Sequence, residues 1–264
     1  MSPKFNYENL EPNQDIGKEN IEKIEEEINQ FKEAVETKFK GGDRERILSA
    51  LELMLYLHCN QEDRLDGKPY IIHPLEVADD LVNKYEINDA DLVVGALLHD
   101  SVEDQADKLL NIKPSDEDLE EANKEELQEL AFAEIGNLYG ERVENMVRGL
   151  TNPNFNKMME ELELKEIKKE KRELYKEHIE EAIKDPNVFV IKLSDFIRNA
   201  GNVPEEEKKR EHFIKKYGPV IKEVFIPAFE EMPEDHPLYK KRDDIMTELN
   251  DIYEADYETD SSDI

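Results

Sequence analysis

Cysteine is almost absent: Cys59 is the only one in 264 residues. That excludes an internal disulfide and suits a reducing cytoplasm. Long apolar runs are missing too. Nowhere do about 18 consecutive apolar residues occur, so no membrane span is expected. The stretch Met1 to Asn20 is polar and holds no apolar signal-peptide region. Internal repeats and obvious linkers are also lacking. Basic charge is scarce, with 35 basic residues against 66 acidic ones and a net charge of -31. A field of that sign repels nucleic-acid backbones and anionic lipid surfaces, so neither is expected as a partner. A phosphorylated ligand would need a locally basic pocket or bound cations. A cytoplasmic protein is the simplest reading.

What the chain has in abundance is helical periodicity. Ile21 to Phe39 reads as a charged amphipathic helix ended by Gly41-Gly42, and Asp43 is expected to cap a helix from Arg44 to His58. A loop follows, punctuated by Gly67-Lys68-Pro69, and Pro74 suits a first helical position with His73 at the cap. Leu92 to Leu98 is continuously apolar. Ser115 and Asp118 resemble a capping box for an acidic helix reaching Glu134, and Gly140 separates it from Glu141 to Leu150. Thr151-Asn152-Pro153-Asn154 breaks the chain before a long charged helix from Lys157 to Lys184, which places Lys171 and His178 on its inward face. Val188-Phe189-Val190-Ile191 has the β-branched character of a buried strand. Without partner strands it is assigned to a helix running to Asn199. Further helices are expected over Glu205 to Tyr217, Pro219 to Glu231 and Pro237 to Tyr253, with a frayed acidic tail from Asp251. The expected fold is all-α: a flexible segment 1–20, a helical domain 21–203 and a helical C-terminal extension 204–264.

His99-Asp100-Ser101-Val102-Glu103-Asp104 closes the apolar segment with four ionisable groups. Such groups are costly at the end of a buried helix unless a cation satisfies them. His99 and Glu103 are four apart, as are Asp100 and Asp104, so each pair is expected to stack on one helix face. The carboxylates are placed toward that helix's C-terminal end, where the macrodipole disfavours them. Two more residues are candidates to converge. His73 stands at a helix start, and Asp195 follows the largely apolar run Ile191-Lys192-Leu193-Ser194. Arg198 and Asn199 share the face of Asp195. Two imidazoles and two carboxylates form a mixed nitrogen–oxygen set suited to manganese, iron, zinc or magnesium. The plainer readings are a helix cap for His73, an ion pair with Lys192 or Arg198 for Asp195, and solvated charges for Glu103 and Asp104. His58, His212 and His236 have no companions in sequence that suggest chemistry.

The ordered blocks Arg64, Gly67-x-Pro69-Tyr70-Ile71-x-His73-Pro74, Leu97 to Asp104 and Lys192-Leu193-Ser194-Asp195 resemble the HD-domain phosphohydrolases. More narrowly, they are similar to the Rel/SpoT-type hydrolase domain, which removes the 3′-pyrophosphate of (p)ppGpp. The resemblance covers residues 45–203. It implies an HD-type helical bundle and a divalent cation, usually Mn²⁺, held by His73, His99, Asp100 and Asp195. It also implies that Glu103 and Asp104 orient or activate water, that Arg64 packs on the guanine base, and that Asn199 touches the ribose. The implied substrate is a small guanosine polyphosphate. There is no room for the synthetase domain of long bifunctional relatives, so hydrolysis alone is expected. The chain departs from the pattern at Leu65, where the family carries lysine, and at Phe196-Ile197-Arg198, where it carries Arg-Leu-His. Asn202 replaces a threonine. Residues 116–134 hold nine acids and one lysine. These departures keep two alternatives in view: an HD phosphohydrolase for another nucleotide or phosphoester, and a non-catalytic metal-binding regulatory module.

Overall fold

The computed structural model describes residues 18–62, 64, 67–111, 124–161, 167–204 and 206–256. Among them there are helices and turns but no strand, as the all-α reading expected. None of the described helices is long and apolar enough to cross a membrane. The chain divides into two compact units, residues 1–151 and 152–264.

In the first unit, helices α1 (Lys18–Lys38) and α2 (Gly41–His58) precede the loop carrying Arg64 and Tyr70. The second helix starts earlier than expected. Its N-cap is Lys40, which moves Asp43 from the capping position into the first turn, where its charge still meets the positive end of the dipole. Helix α3 spans Ile72–Asp79 and continues as a π-helical turn, Asp80–Lys84. His73 therefore lies inside the first turn rather than at the cap, because backbone bonds from Ile72 and His73 to the carbonyls of Pro69 and Tyr70 begin the helical winding early.

Helix α4 (Ala90–Leu98) packs against α2 and α3, and every residue of it from Leu92 to Leu98 is buried. Its all-round apolar surface makes it the core element of this unit. The Asp89 carboxylate caps it, accepting from the backbone N–H of Asp91 and of Leu92. Helix α5 (Ser101–Leu109) packs on α2 and on α6 (Lys124–Tyr139). Lys108 Nζ donates to the Leu57 carbonyl at 3.0 Å, serving the open C-terminus of α2. Helix α7 (Glu141–Leu150) is set off from α6 by Gly140, whose φ of 96° is costly for any residue with a Cβ. Arg142 on α7 grips Asp89 with both terminal nitrogens, at 2.9 and 2.7 Å. The expected capping pair Ser115 and Asp118 lies outside the described residues.

The second unit holds α8 (Phe155–Glu161), α9 (Ile167–Ala182), α10 (Pro186–Ala200) and α11 (Glu207–Val220). A π-helical turn (Ile221–Phe225), α12 (Ile226–Glu230) and α13 (Arg242–Asp256) follow. The expected helix from Lys157 to Lys184 corresponds to α8 and α9 with residues 162–166 outside the description. On α9 Lys171 is exposed rather than inward, since an ammonium keeps its hydration on the solvent side. His178 is half-buried, edge-on to the Phe155 ring. Val188 to Ile191 is helical, and Asp185 caps its helix by accepting from the backbone of Asn187 and of Val188. Pro219 was expected to open a new helix, yet it sits inside α11. A π-helical turn, Ile221–Phe225, follows that helix immediately.

Candidate metal centre

The turn between α4 and α5 places the chemistry. His99 closes α4 and Asp100 precedes the first residue of α5, so the two stand where one apolar helix ends and a second begins. This corrects the expectation that one helix carries the whole run. Glu103 and Asp104 fall in the first turn of α5, where the helix dipole stabilises negative charge. The reason lies in the backbone ladder, which restarts with Asp104 N–H donating to the Asp100 carbonyl at 3.0 Å.

His99 Nδ1 bonds to the Ala96 carbonyl at 2.7 Å. A carbonyl oxygen only accepts, so the hydrogen sits on Nδ1 and the lone pair of neutral His99 sits on Nε2. That Nε2 lies 3.1 Å from Asp100 Oδ2, and the same oxygen is 3.8 Å from His73 Nε2. The two imidazoles meet edge to face at 5.2 Å between centroids, and both are buried. Two ring nitrogens thus face one carboxylate oxygen at close range. Three such atoms repel unless a proton or a cation lies among them, and their chemistry fits a divalent metal.

Tyr70 completes the surroundings. Its hydroxyl donates to Asp100 Oδ2 at 2.6 Å, while its ring stacks on His58 at 5.2 Å. Burial pushes the Tyr70 phenol upward, and the Asp100 and Asp104 charges push it further, so it stays a donor. Burial also raises the Asp100 carboxyl, but a positive charge at His99 Nε2 (its second proton), by charge and hydrogen bond, then His73 and Tyr70, outweigh burial and hold the group well below the usual carboxylate range. Asp100 is therefore an anion ready for a cation.

His73, His99 and Asp100 are thus brought together, with Glu103 and Asp104 one turn along α5. Glu103 is half-buried and Asp104 exposed. Arg64 lies in a tight turn, its N–H bonded to the Lys68 carbonyl and its own carbonyl accepting from Gly67. Within the second unit, Asp195 is buried on α10 at 8% exposure. Asn199 Nδ2 donates to its Oδ1 at 2.6 Å, and Lys192 Nζ reaches its Oδ2 at 3.3 Å. The Lys192 pairing anticipated for a surface aspartate exists, but it is buried, with Lys192 at 3% exposure. Asn199 sits inside the last turn of α10.

His58 and Gln61 were missed. His58, which has no chemical companion in sequence, has several in space: Tyr70, Gln61 and, through Gln61, Asp104 and Gln105. The one available signal was the i, i+3 spacing of His58 and Gln61, which is too common to single out.

The profile of the HD domain family matches residues 50–225. A guanosine-3′,5′-bis(diphosphate) 3′-pyrophosphohydrolase of Aquifex aeolicus is 31% identical over 186 residues, 69% of this chain and 21% of that protein. A protein with the same activity in its name, from Danio rerio, is 29% identical over 107 residues, 40% of this chain and 47% of its own length. The chain thus spans less than half of either relative. A solved structure, described as a metazoan orthologue of SpoT that hydrolyses ppGpp, shares the fold with a TM-score of 0.53 at 18% identity, over 82% of this chain and 97% of that one.

Proposed function

Since this chain belongs to the HD domain family, whose profile spans residues 50–225, we propose that it is a metal-dependent phosphohydrolase removing the 3′-pyrophosphate of guanosine polyphosphates in the cytoplasm. The observation that carries this reading is the meeting of His73 Nε2, His99 Nε2 and Asp100 Oδ2 one turn before Asp104. The names borne by the Aquifex and Danio relatives support the substrate class.

His73, His99, Asp100 and Asp195 would hold the cation, and their imidazole and carboxylate donors suit manganese. When bound, it supplies positive charge that acidifies water and neutralises phosphate oxygens. Asp104 and Glu103 orient the attacking water and take its proton. The water oxygen bonds to the phosphorus carried by the 3′ oxygen as that P–O bond breaks. The 3′ oxygen leaves protonated, which frees pyrophosphate and a guanosine 5′-di- or triphosphate. Arg64 packs on the guanine base, and Asn199 contacts the ribose while its amide holds Asp195.

A second reading, hydrolysis of another nucleotide, is favoured by Phe196. At the position where the family pattern it resembles has arginine, this ring is 1% exposed against Tyr217 and Phe225. The purified chain with Mn²⁺ is expected to release pyrophosphate from ppGpp, and chelation or His99→Ala to abolish release. Release from other members of a nucleotide panel but not from ppGpp would replace the substrate. Metal uptake without any phosphoester hydrolysis would leave a binding module.

A further inference from the structure

Asp104 is exposed, and an exposed carboxylate on a first helical turn ordinarily samples several rotamers. Here it is held. Gln61 Nε2 donates to Asp104 Oδ2 at 2.8 Å. The other end of the same amide, Gln61 Oε1, meets His58 Nδ1 at 2.6 Å and Gln105 Nε2 at 3.0 Å. The reverse orientation of the Gln61 amide would set a carbonyl oxygen against the Asp104 carboxylate and an NH₂ against the NH₂ of Gln105. Gln105 could turn its own amide to suit, but the Asp104 carboxylate only accepts, so it selects the orientation with Gln61 Nε2 toward it. With an acceptor opposite it, His58 Nδ1 must carry the ring hydrogen. Burial lowers the His58 pKa, more than the Gln61 bond and the nearby carboxylates restore it, so the ring is neutral with that one N–H. His58 is itself immobilised, 1% exposed and stacked on Tyr70 at an interplanar angle of 19°. At Gln105 the backbone leaves helical geometry (φ -135°, ψ 28°), which accompanies the reach of its side chain back to Gln61.

We propose that His58 and Gln61 are positioning residues for the hydrolytic step: His58 fixes the orientation of the Gln61 amide, and Gln61 holds the Asp104 carboxylate for water. The proposal rests on the function proposed above. Neither side chain is assigned a contact with the substrate or the metal. They act through Asp104, so their loss lowers turnover rather than binding.

The test combines variants of the full chain with a structural readout. Gln61→Ala and His58→Ala are each expected to lower kcat for ppGpp hydrolysis by about tenfold to a hundredfold. KM and Mn²⁺ affinity, the latter from calorimetry without substrate, are expected to stay within about twofold, and the double variant to be no slower than the slower single one. His58→Asn, whose amide N–H falls near the lost Nδ1–H, is expected to recover most of the rate. Losses that multiply in the double variant, an asparagine no better than alanine, or a fall in Mn²⁺ affinity alongside kcat would each overturn the proposal. Should His58→Ala fail to fold, Gln61→Ala on its half-buried side chain decides. The ¹⁵N NMR tautomer of His58 in the unaltered protein is read separately, with hydrogen expected on Nδ1. Hydrogen on Nε2 overturns the orienting role even in an active enzyme. A wild-type chain that hydrolyses no phosphoester, yet shows the Nδ1–H tautomer, sinks the proposed function and leaves the orienting pair standing.

Discussion

Tyr70 serves two neighbours at once, its ring lying on His58 and its hydroxyl on Asp100. Replacing it with phenylalanine keeps the stack and deletes only the bond to the carboxylate. Partners of this kind orient ligands, and their removal costs about 10–100-fold in metal affinity. Tyr70→Phe is therefore expected to weaken Mn²⁺ binding by that factor in a calorimetric titration, with a stability loss of only about 1 kcal/mol. Unchanged affinity would make the bond incidental to the metal. His178 gives a residue-scale prediction about pH. Burial, then the charge of Lys192, lowers its pKa from 6.5 to about 4. Below 6.5 the unfolded chain takes up a proton that the folded chain refuses until about 4, so stability is complete above that window and falls as pH drops through it. His178→Phe keeps the edge-on contact with Phe155 and removes the titration. Its urea midpoint is expected to fall less between pH 7 and pH 5 than that of the unaltered protein, whereas parallel declines would refute the assignment.

Helix α10 carries Asp195 and Asn199, and its start depends on Asp185 accepting from two backbone N–H groups. Asp185→Ala is expected to cost about 1 kcal/mol of stability, read as a shift in urea midpoint with unchanged slope. In sequence Asp185-Pro186-Asn187 reads only as a turn into the helix, and the capping by Asp185 is seen in the structure alone. The apolar stripe of α2 and the break at Gly140 between α6 and α7 were legible. Boundaries that depend on packing were not legible. The continuous apolar-to-acidic run from Leu92 to Asp104 looks like one helix, since periodicity carries no record of where a backbone ladder restarts. Pro219 reads as a breaker, but the π-helical turn after it has no sequence signature. The histidines and carboxylates proposed as ligands stand out in sequence by chemical type and motif order. His58 and Gln61 do not, because their role comes from an amide orientation that only three-dimensional neighbours define.

The division of the chain after Thr151 falls on Thr151-Asn152-Pro153-Asn154, which in sequence is marked only as a break between helices. Net charge, by contrast, belongs to the molecule as a whole and was readable without any structure. A surplus of 31 negative charges repels itself in the folded state. The ion pairs that oppose it, such as Arg46–Asp91 and Arg148–Glu129, are partly exposed and contribute about 0–1 kcal/mol each. Salt weakens both effects, but the long-range repulsion is summed over many more pairs. Raising NaCl from about 0.01 M to about 0.15 M shortens the screening length from about 30 Å to about 8 Å. That change removes most of the repulsion between distant acids while leaving contacts under 3 Å nearly intact. The melting temperature is therefore expected to rise across this range, as followed by circular dichroism at fixed pH, and to rise equally with KCl because screening does not distinguish the cation. A melting temperature that fell with salt would mean that the attractive pairs outweigh the surplus.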